Sequence, residues 1–181
     1  MQRNAGAVPQ IGRFNEAQMD KKIKILDESQ GEFVGVAGDN YRVIVGADAT
    51  ENAFSVIDMT IPPGGGPVPH AHPDIQEFFY VLEGELEYKT ETGPAIVAKN
   101  GLVYIPRGGA IHSFKNVTQV MARVLCVVMP GGLERFFAEF GVPVARGEFP
   151  PPLAMTPEIH AKLDALNEKY GQSMYPPDYL D

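Results

Sequence analysis

Four side chains hold the chemistry that this sequence can do. His70 and His72 stand one residue apart, Glu77 follows four intervening residues later, and His112 comes forty residues after His72. On an extended strand successive side chains alternate faces, so His70 and His72 point the same way. Glu77 has the opposite parity and a continuous strand would turn it away. Pro73-Asp74 lies between them and supplies a break, because proline cannot continue a central ladder. Pairing can then restart with Glu77 facing inward. His112 and Phe114 share one face of a later short strand. Together His70, His72, Glu77 and His112 make a three-histidine, one-carboxylate metal site.

Four protein ligands in an octahedral field leave two neighbouring positions open. That suits a catalytic ion that meets substrate and oxygen or water together, and a closed tetrahedral structural site would leave no such room. Imidazole and carboxylate suit iron, manganese, nickel, cobalt, copper and zinc alike. One divalent transition metal per chain is therefore expected, with its identity open. A histidine in a strand is usually structural, but three of the four histidines in this chain fall in the cluster. The fourth, His160, reads as a surface histidine beside Ile159 on a helix. Cys126, the lone cysteine, lies in the apolar run 124–128 and reads as a small buried hydrophobe rather than a nucleophile. The glycine-rich loop 62–66 is followed by neither a helix nor Gly-Lys-Ser/Thr, so phosphate binding is a weak reading of it.

These side chains need strands to position them. From Phe33 onward short β runs alternate with turn signals, the spacing of a sandwich or barrel. Residues 41–45 and 53–61 read as strands, with Phe54, Val56 and Met59 as candidate core residues of the second. Glu83-Gly84 reads as a hairpin turn requiring glycine at positive φ, flanked by strands 77–82 and 85–88. Glu77, Phe79 and Val81 are inward by parity. Residues 95–98 and 102–105 are further strands, and residues 120–129 form the last barrel strand.

Two helices follow. Leu133, Phe136, Phe137 and Phe140 fall at helical spacing with Gly141 as the stop. This stripe reads first as a packing face, and second as a cover over one mouth of the barrel. In the second helix Thr156 is the N-cap, Pro157 occupies the first helical position, and Gly171 ends it. Ile159, Leu163, Leu166 and Tyr170 form its apolar stripe. The expected organisation is an arm over 1–30, a barrel over 31–130 and a helical extension over 131–181.

Composition narrows the function. With 181 residues the chain suits one domain. The net charge of −8 and the lack of a long basic run argue against sequence-independent nucleic-acid binding. Lys21-Lys22-x-Lys24 reads as a solvated segment. No stretch approaches the roughly 18 apolar residues of a membrane span. The N-terminus lacks the apolar core of a secretion signal, so a cytoplasmic protein is expected.

The sequence resembles the cupins. Gly64, His70-x-His72, Glu77 and Gly84 fit the first cupin motif, with five, four and six residues intervening. Gly101 to Pro106, Gly109, His112 and Asn116 fit the second, with one residue fewer than usual between Gly101 and Pro106. The resemblance covers about residues 31–145, and the segments before and after the motifs resemble single-domain cupins grouped with quercetin 2,3-dioxygenases. It implies an all-β double-stranded β-helix, the cupin jelly roll, with the C-terminal helices packed outside.

The resemblance further implies a metal-dependent dioxygenase. A flavonol or related enol would bind the metal and be opened by O2 with loss of carbon monoxide. Glu77 would be ligand and proton acceptor. Phe54, Phe79, Tyr104 and Phe114 would line an apolar substrate pocket, or else serve as ordinary barrel core. The alternatives are an isomerase or lyase acting on a small hydroxy-carbonyl substrate, and a non-catalytic small-molecule-binding cupin. A homodimer is expected, because edge strands need cover and the strand at Phe33-Val34-x-Val36 suits pairing with a second copy.

Overall fold

Period-two burial lays down the strands. Ala122, Val124, Cys126 and Val128 are buried while their neighbours are only half-buried, as expected of a strand with one face on a core. The structure, a computed structural model, describes residues 23–181. Lys21, Lys22 and most of the expected arm lie outside the described residues.

The elements are β1 (Glu32–Val36), β2 (Asp39–Val45), a short 3-10 helix (Ala47–Thr50), β3 (Ser55–Ile61), β4 (His70–Ala71), β5 (Gln76–Glu83), β6 (Glu85–Thr90), β7 (Gly93–Ala98), β8 (Leu102–Ile105), β9 (His112–Lys115), β10 (Ala122–Met129), α1 (Leu133–Phe140), β11 (Val142–Pro143), α2 (Pro157–Tyr170) and β12 (Ser173–Met174). One sheet has the order β11-β1-β2-β3-β10-β5-β8, and the other β12-β4-β9-β6-β7. The strand pairings are antiparallel. The two sheets form a jelly roll with two helices after the last long strand, as expected. Neither helix is long and apolar enough to cross a membrane.

Three details differ from the sequence reading. β3 begins at Ser55, and Ile57, Met59 and Ile61 are its buried apolar residues. Phe54 precedes the strand and is exposed, and Val56 lies on the other face and is half-buried. β10 begins at Ala122 instead of Val120 because Asn116 ties the preceding residues into a turn. Its side-chain amide donates to Val120 O at 2.7 Å and Ile61 O at 2.9 Å, while its side-chain oxygen accepts from the Thr118 N–H. Finally, β1 is not a free edge. It pairs with β2 on one side and β11 on the other, so pairing with a second copy at Phe33-Val34-x-Val36 is blocked from within the chain.

The core lies between the sheets and extends under α1. Leu133, Phe136 and Phe140 join the strand residues Val34, Tyr41 and Met59 in one cluster, and each such burial is worth roughly 1.5–3 kcal/mol. Gly141 ends α1 with extended backbone at φ −78°. Its need for glycine is steric: a Cβ there would lie 2.6 Å from Gly35 O. α2 begins at Thr156, whose hydroxyl accepts from Ile159 N–H, and ends at Gly171 with φ 64°, the left-handed cap glycine favours.

Candidate metal centre

The site is assembled from both sheets. In the second sheet β4 pairs with β9 so that His70 stands opposite His112. His72 follows immediately after β4. The turn at Pro73-Asp74 then carries the chain across to the first sheet, where Glu77 lies on β5 between Ile105 of β8 and Val128 of β10. The proline break thus moves the chain from one wall to the other, and Glu77 faces the histidines across the interior.

The four residues are buried, at 8%, 4%, 2% and 2% exposure for His70, His72, Glu77 and His112. One ligand atom from each lies within 4.8 Å of the others. The His70 and His112 rings are 4.3 Å apart, and the His70 and His72 rings 5.0 Å apart. The Nδ1–H of His70 donates to Val68 O at 2.8 Å and that of His112 to Ala110 O at 2.9 Å. A carbonyl only accepts, so these bonds fix the tautomer and leave each Nε2 with a lone pair.

That arrangement fits a cation. His112 Nε2 lies 3.3 Å from Glu77 Oε2, and His72 Nε2 lies 3.9 Å from the same oxygen. Neither Glu77 Oε2 nor His112 Nε2 has a hydrogen-bond partner. Lone pairs converging in a buried space repel one another unless a positive ion lies among them. Burial, followed by the nearby His112 and His72 imidazoles, pushes His70 down to about 3. Burial also lowers His72. Burial by itself would raise Glu77, and only positive charge among the facing imidazoles, His112 first, whether a proton or a bound cation, holds it below the usual carboxylate range. Neutral His70 and His72 beside an ionised carboxylate are in the protonation states that metal ligands require.

A cavity of about 470 Å³ is lined by His70, His72 and Glu77 of the cluster, but not by His112. Phe79 and Phe114 line it and are buried. Phe54 and Tyr104 do not line it. Phe54 is 39% exposed ahead of β3, and Tyr104 is 51% exposed. In the β5–β8 register Tyr104 pairs with Phe78, and the two rings stack at 4.8 Å. Both therefore sit on the face opposite Glu77 and Phe79. The α1 stripe does two things: Phe136, Phe137 and Phe140 pack on the core and also cover the cavity. His160 is exposed, as expected of a surface histidine, and lies with Asp164 at the edge of the cavity.

Sequence reasoning missed one polar pair. Asp39 and Tyr41, two residues apart on β2, also line the cavity. They are 1% and 4% exposed, and the Tyr41 hydroxyl donates to Asp39 Oδ2 at 3.1 Å. The available signal was strand parity, which places Asp39 on the face of Tyr41. It was hidden because Gly38-Asp39-Asn40 looks like a turn.

Residues 57–128 match the family model described as Cupin domain, a stretch that contains His70, His72, Glu77 and His112. Among curated proteins, Germin-like protein subfamily 2 member 2 of Arabidopsis thaliana is 33% identical over 108 residues, covering 58% of this chain and 48% of that protein. Probable germin-like protein subfamily 2 member 5 of the same plant is 33% identical over 113 residues, covering 59% of this chain and 52% of its own length. The chain spans about half the length of the curated relatives it matches. Among solved structures, KdgF from Halomonas sp. superposes with a TM-score of 0.55 at 13% identity, covering 63% of this chain and 99% of that one. A protein described as a predicted oxalate decarboxylase from Thermotoga maritima superposes with a TM-score of 0.51 at 20% identity, covering 57% and 94%. These two likenesses establish the cupin fold.

Proposed function

We propose that the protein is a metal-dependent dioxygenase that cleaves a flavonol or related enol with O2. The observation that carries this reading is the buried His70, His72, Glu77 and His112 cluster, of which His70, His72 and Glu77 line an apolar, aromatic cavity. Those four side chains would hold one divalent transition metal. When bound, the metal supplies Lewis-acid and one-electron chemistry.

The chain's own residues do the rest. Val68 and Ala110 hold the His70 and His112 rings in place through their Nδ1–H groups. As a carboxylate Glu77 has no donor at Oε2, so it can accept the proton of an enol hydroxyl at that oxygen. Phe79 and Phe114, whose rings meet at 5.6 Å and 62°, offer apolar surface to a flat body. The phenylalanines of α1 keep water from the far side of the cavity.

The test is oxygen uptake with flavonols by protein loaded separately with iron, manganese, nickel, cobalt and copper. Uptake of O2 with release of an equal amount of carbon monoxide is the expected result. No uptake with any flavonol or related enol under any of these metals would overturn the assignment. Conversion of a hydroxy-carbonyl compound without O2 would replace it with the isomerase or lyase reading.

A further inference from the structure

We propose that Asn167 and Gln172, two side-chain amides on the C-terminal segment, are specificity-determining residues that hydrogen-bond an uncharged hydroxyl of the substrate. This rests on the preceding reading, in which the substrate's enol meets His70, His72, Glu77 and His112. The substrate class becomes an aromatic enol that carries a further hydroxyl on its ring system.

The end of α2 brings the two amides together. It closes in a Schellman turn, in which Gly171 N–H donates to Glu168 O and Gln172 N–H donates to Asn167 O at 2.9 Å. That turn folds Gln172 back over Asn167. The two positions so joined commonly carry apolar side chains that touch. Here they carry amides, and Gln172 Nε2 donates to Asn167 Oδ1 at 3.1 Å. Asn167 is only 8% exposed, and a buried amide costs stability unless its hydrogen bonds are made. An apolar pair would close the turn as well, so turn closure does not account for the amides.

Placement ties the pair to the metal ligands. Both residues line the cavity that His70, His72 and Glu77 line. Gln172 immediately precedes β12, and His72 immediately follows β4. The register Met174↔His70, Ser173↔Ala71 therefore leads to Gln172 and His72 as the next facing residues.

The remaining groups of the pair are open to a ligand. Gln172 Nε2 also lies 3.0 Å from Met174 Sδ. This leaves Gln172 Oε1 as an acceptor and Asn167 Nδ2 as a donor, neither with a partner among the described residues. Neither atom is occluded as Glu77 Oε2 is, so a molecule in the cavity can reach them. Turning both amides end for end exchanges which residue donates, and still leaves one donor and one acceptor. A hydroxyl donates and accepts at one oxygen, so it matches both. Among the described residues that line the cavity there is no lysine or arginine, and Asp164 lies at its edge. An anionic group would therefore meet repulsion and no partner.

The experiment measures binding to zinc-loaded protein, in which no redox step can occur, from the shift of flavonol absorption on chelation. The ligands are the flavonol with no hydroxyl besides its enol, and relatives with one further hydroxyl on the fused rings or on the phenyl ring. Wild type should bind at least one relative on the order of 10-fold more tightly, the effect of two added hydrogen bonds. In Asn167→Leu/Gln172→Leu that ratio should fall toward one, while the urea midpoint stays close to that of wild type because an apolar pair suits the turn. Gln172→Met, at a half-buried position, should also lower the ratio, and it serves should the double variant fail to fold. No preference in wild type, or a preference kept in full by either folded variant, would overturn the proposal and leave the enol reading standing. If the unsubstituted flavonol binds wild type no better than His112→Ala, the enol reading is itself wrong and the proposal falls with it.

Discussion

Glu77 is where the chemistry concentrates, because its Oε2 faces two imidazoles and has no donor. Glu77→Gln keeps the size and removes both charge and basicity. We predict a fall in turnover of roughly 10²-fold or more at matched metal occupancy, with ligand binding reduced less. Equal turnover per bound metal would remove Glu77 as the base. His72→Ala and His112→Ala should each abolish stoichiometric metal binding while far-UV circular dichroism stays that of a β fold. Elemental analysis finding a full metal complement in both would refute the site. Asp39 gives a pH prediction. Burial raises its carboxyl from 3.8 to about 7, so over that interval the folded chain holds a proton that the unfolded chain has lost. Its contribution to stability is full below about pH 4, declines as pH rises and is gone above about pH 7. The slope is at most about 1.4 kcal/mol per pH unit. Urea unfolding at about pH 5 and about pH 8 should show wild type losing more stability than Asp39→Asn. Parallel losses would mean that Asp39 titrates normally.

At the scale of elements, the loop before β4 decides where the first two histidines stand. Gly66 has φ 122°, and a Cβ there would lie 2.1 Å from Phe114 O. That oxygen belongs to the backbone of β9, which also carries His112, so it cannot swing aside. Gly65 O accepts from Asn116 N–H and Gly64 N–H donates to Asn116 O, pinning the loop to the far end of β9. Gly66→Ala should therefore cost about 2 kcal/mol or more and weaken metal binding with it. Denaturant midpoint and metal titration measure the two effects, and a variant that keeps both would show that the loop does not set the ligand geometry. The other edge of β4 is held by β12, where Met174 pairs with His70 and Tyr175 N–H donates to Pro69 O at 2.9 Å. The ligand strand, only two residues long, is thus bracketed by β9 and by the C-terminal segment.

At the scale of the molecule, β11 covers β1, so association must use another surface. The ends of the sheets in strand order are β11, β8, β12 and β7. Of these β8 exposes Leu102 and Tyr104, at 57% and 51%. We propose that the expected homodimer forms there, since an exposed apolar edge strand invites pairing. Sedimentation at micromolar concentration should give a dimer for wild type and a monomer for Leu102→Lys. A 19.7 kDa wild-type particle would rule the dimer out.

Much of this was legible locally. Side-chain parity put His70 with His72 and Glu77 with Phe79 and Val81, and helix periodicity with cap chemistry marked α1 and α2. These signals act over a few residues, and a sequence records them directly. Tertiary structure decided the rest, because it depends on which strands become neighbours. Only chain reversal at Pro73-Asp74 shows that Glu77 faces the histidines from the opposite sheet. Register with β5 sends Tyr104 outward beside Phe78 and leaves Val103 and Ile105 facing in, which no aromatic count could foresee. The same sheet order lets β2 share a cavity with β5, making Asp39, unremarkable in a turn-like tripeptide, a buried carboxyl at its wall. A two-residue pairing at Val142–Pro143 closes the edge that the sequence left open for a partner. Each of these rests on contacts between residues far apart in the chain, and hydrophobic periodicity carries no information about which distant strand will supply them.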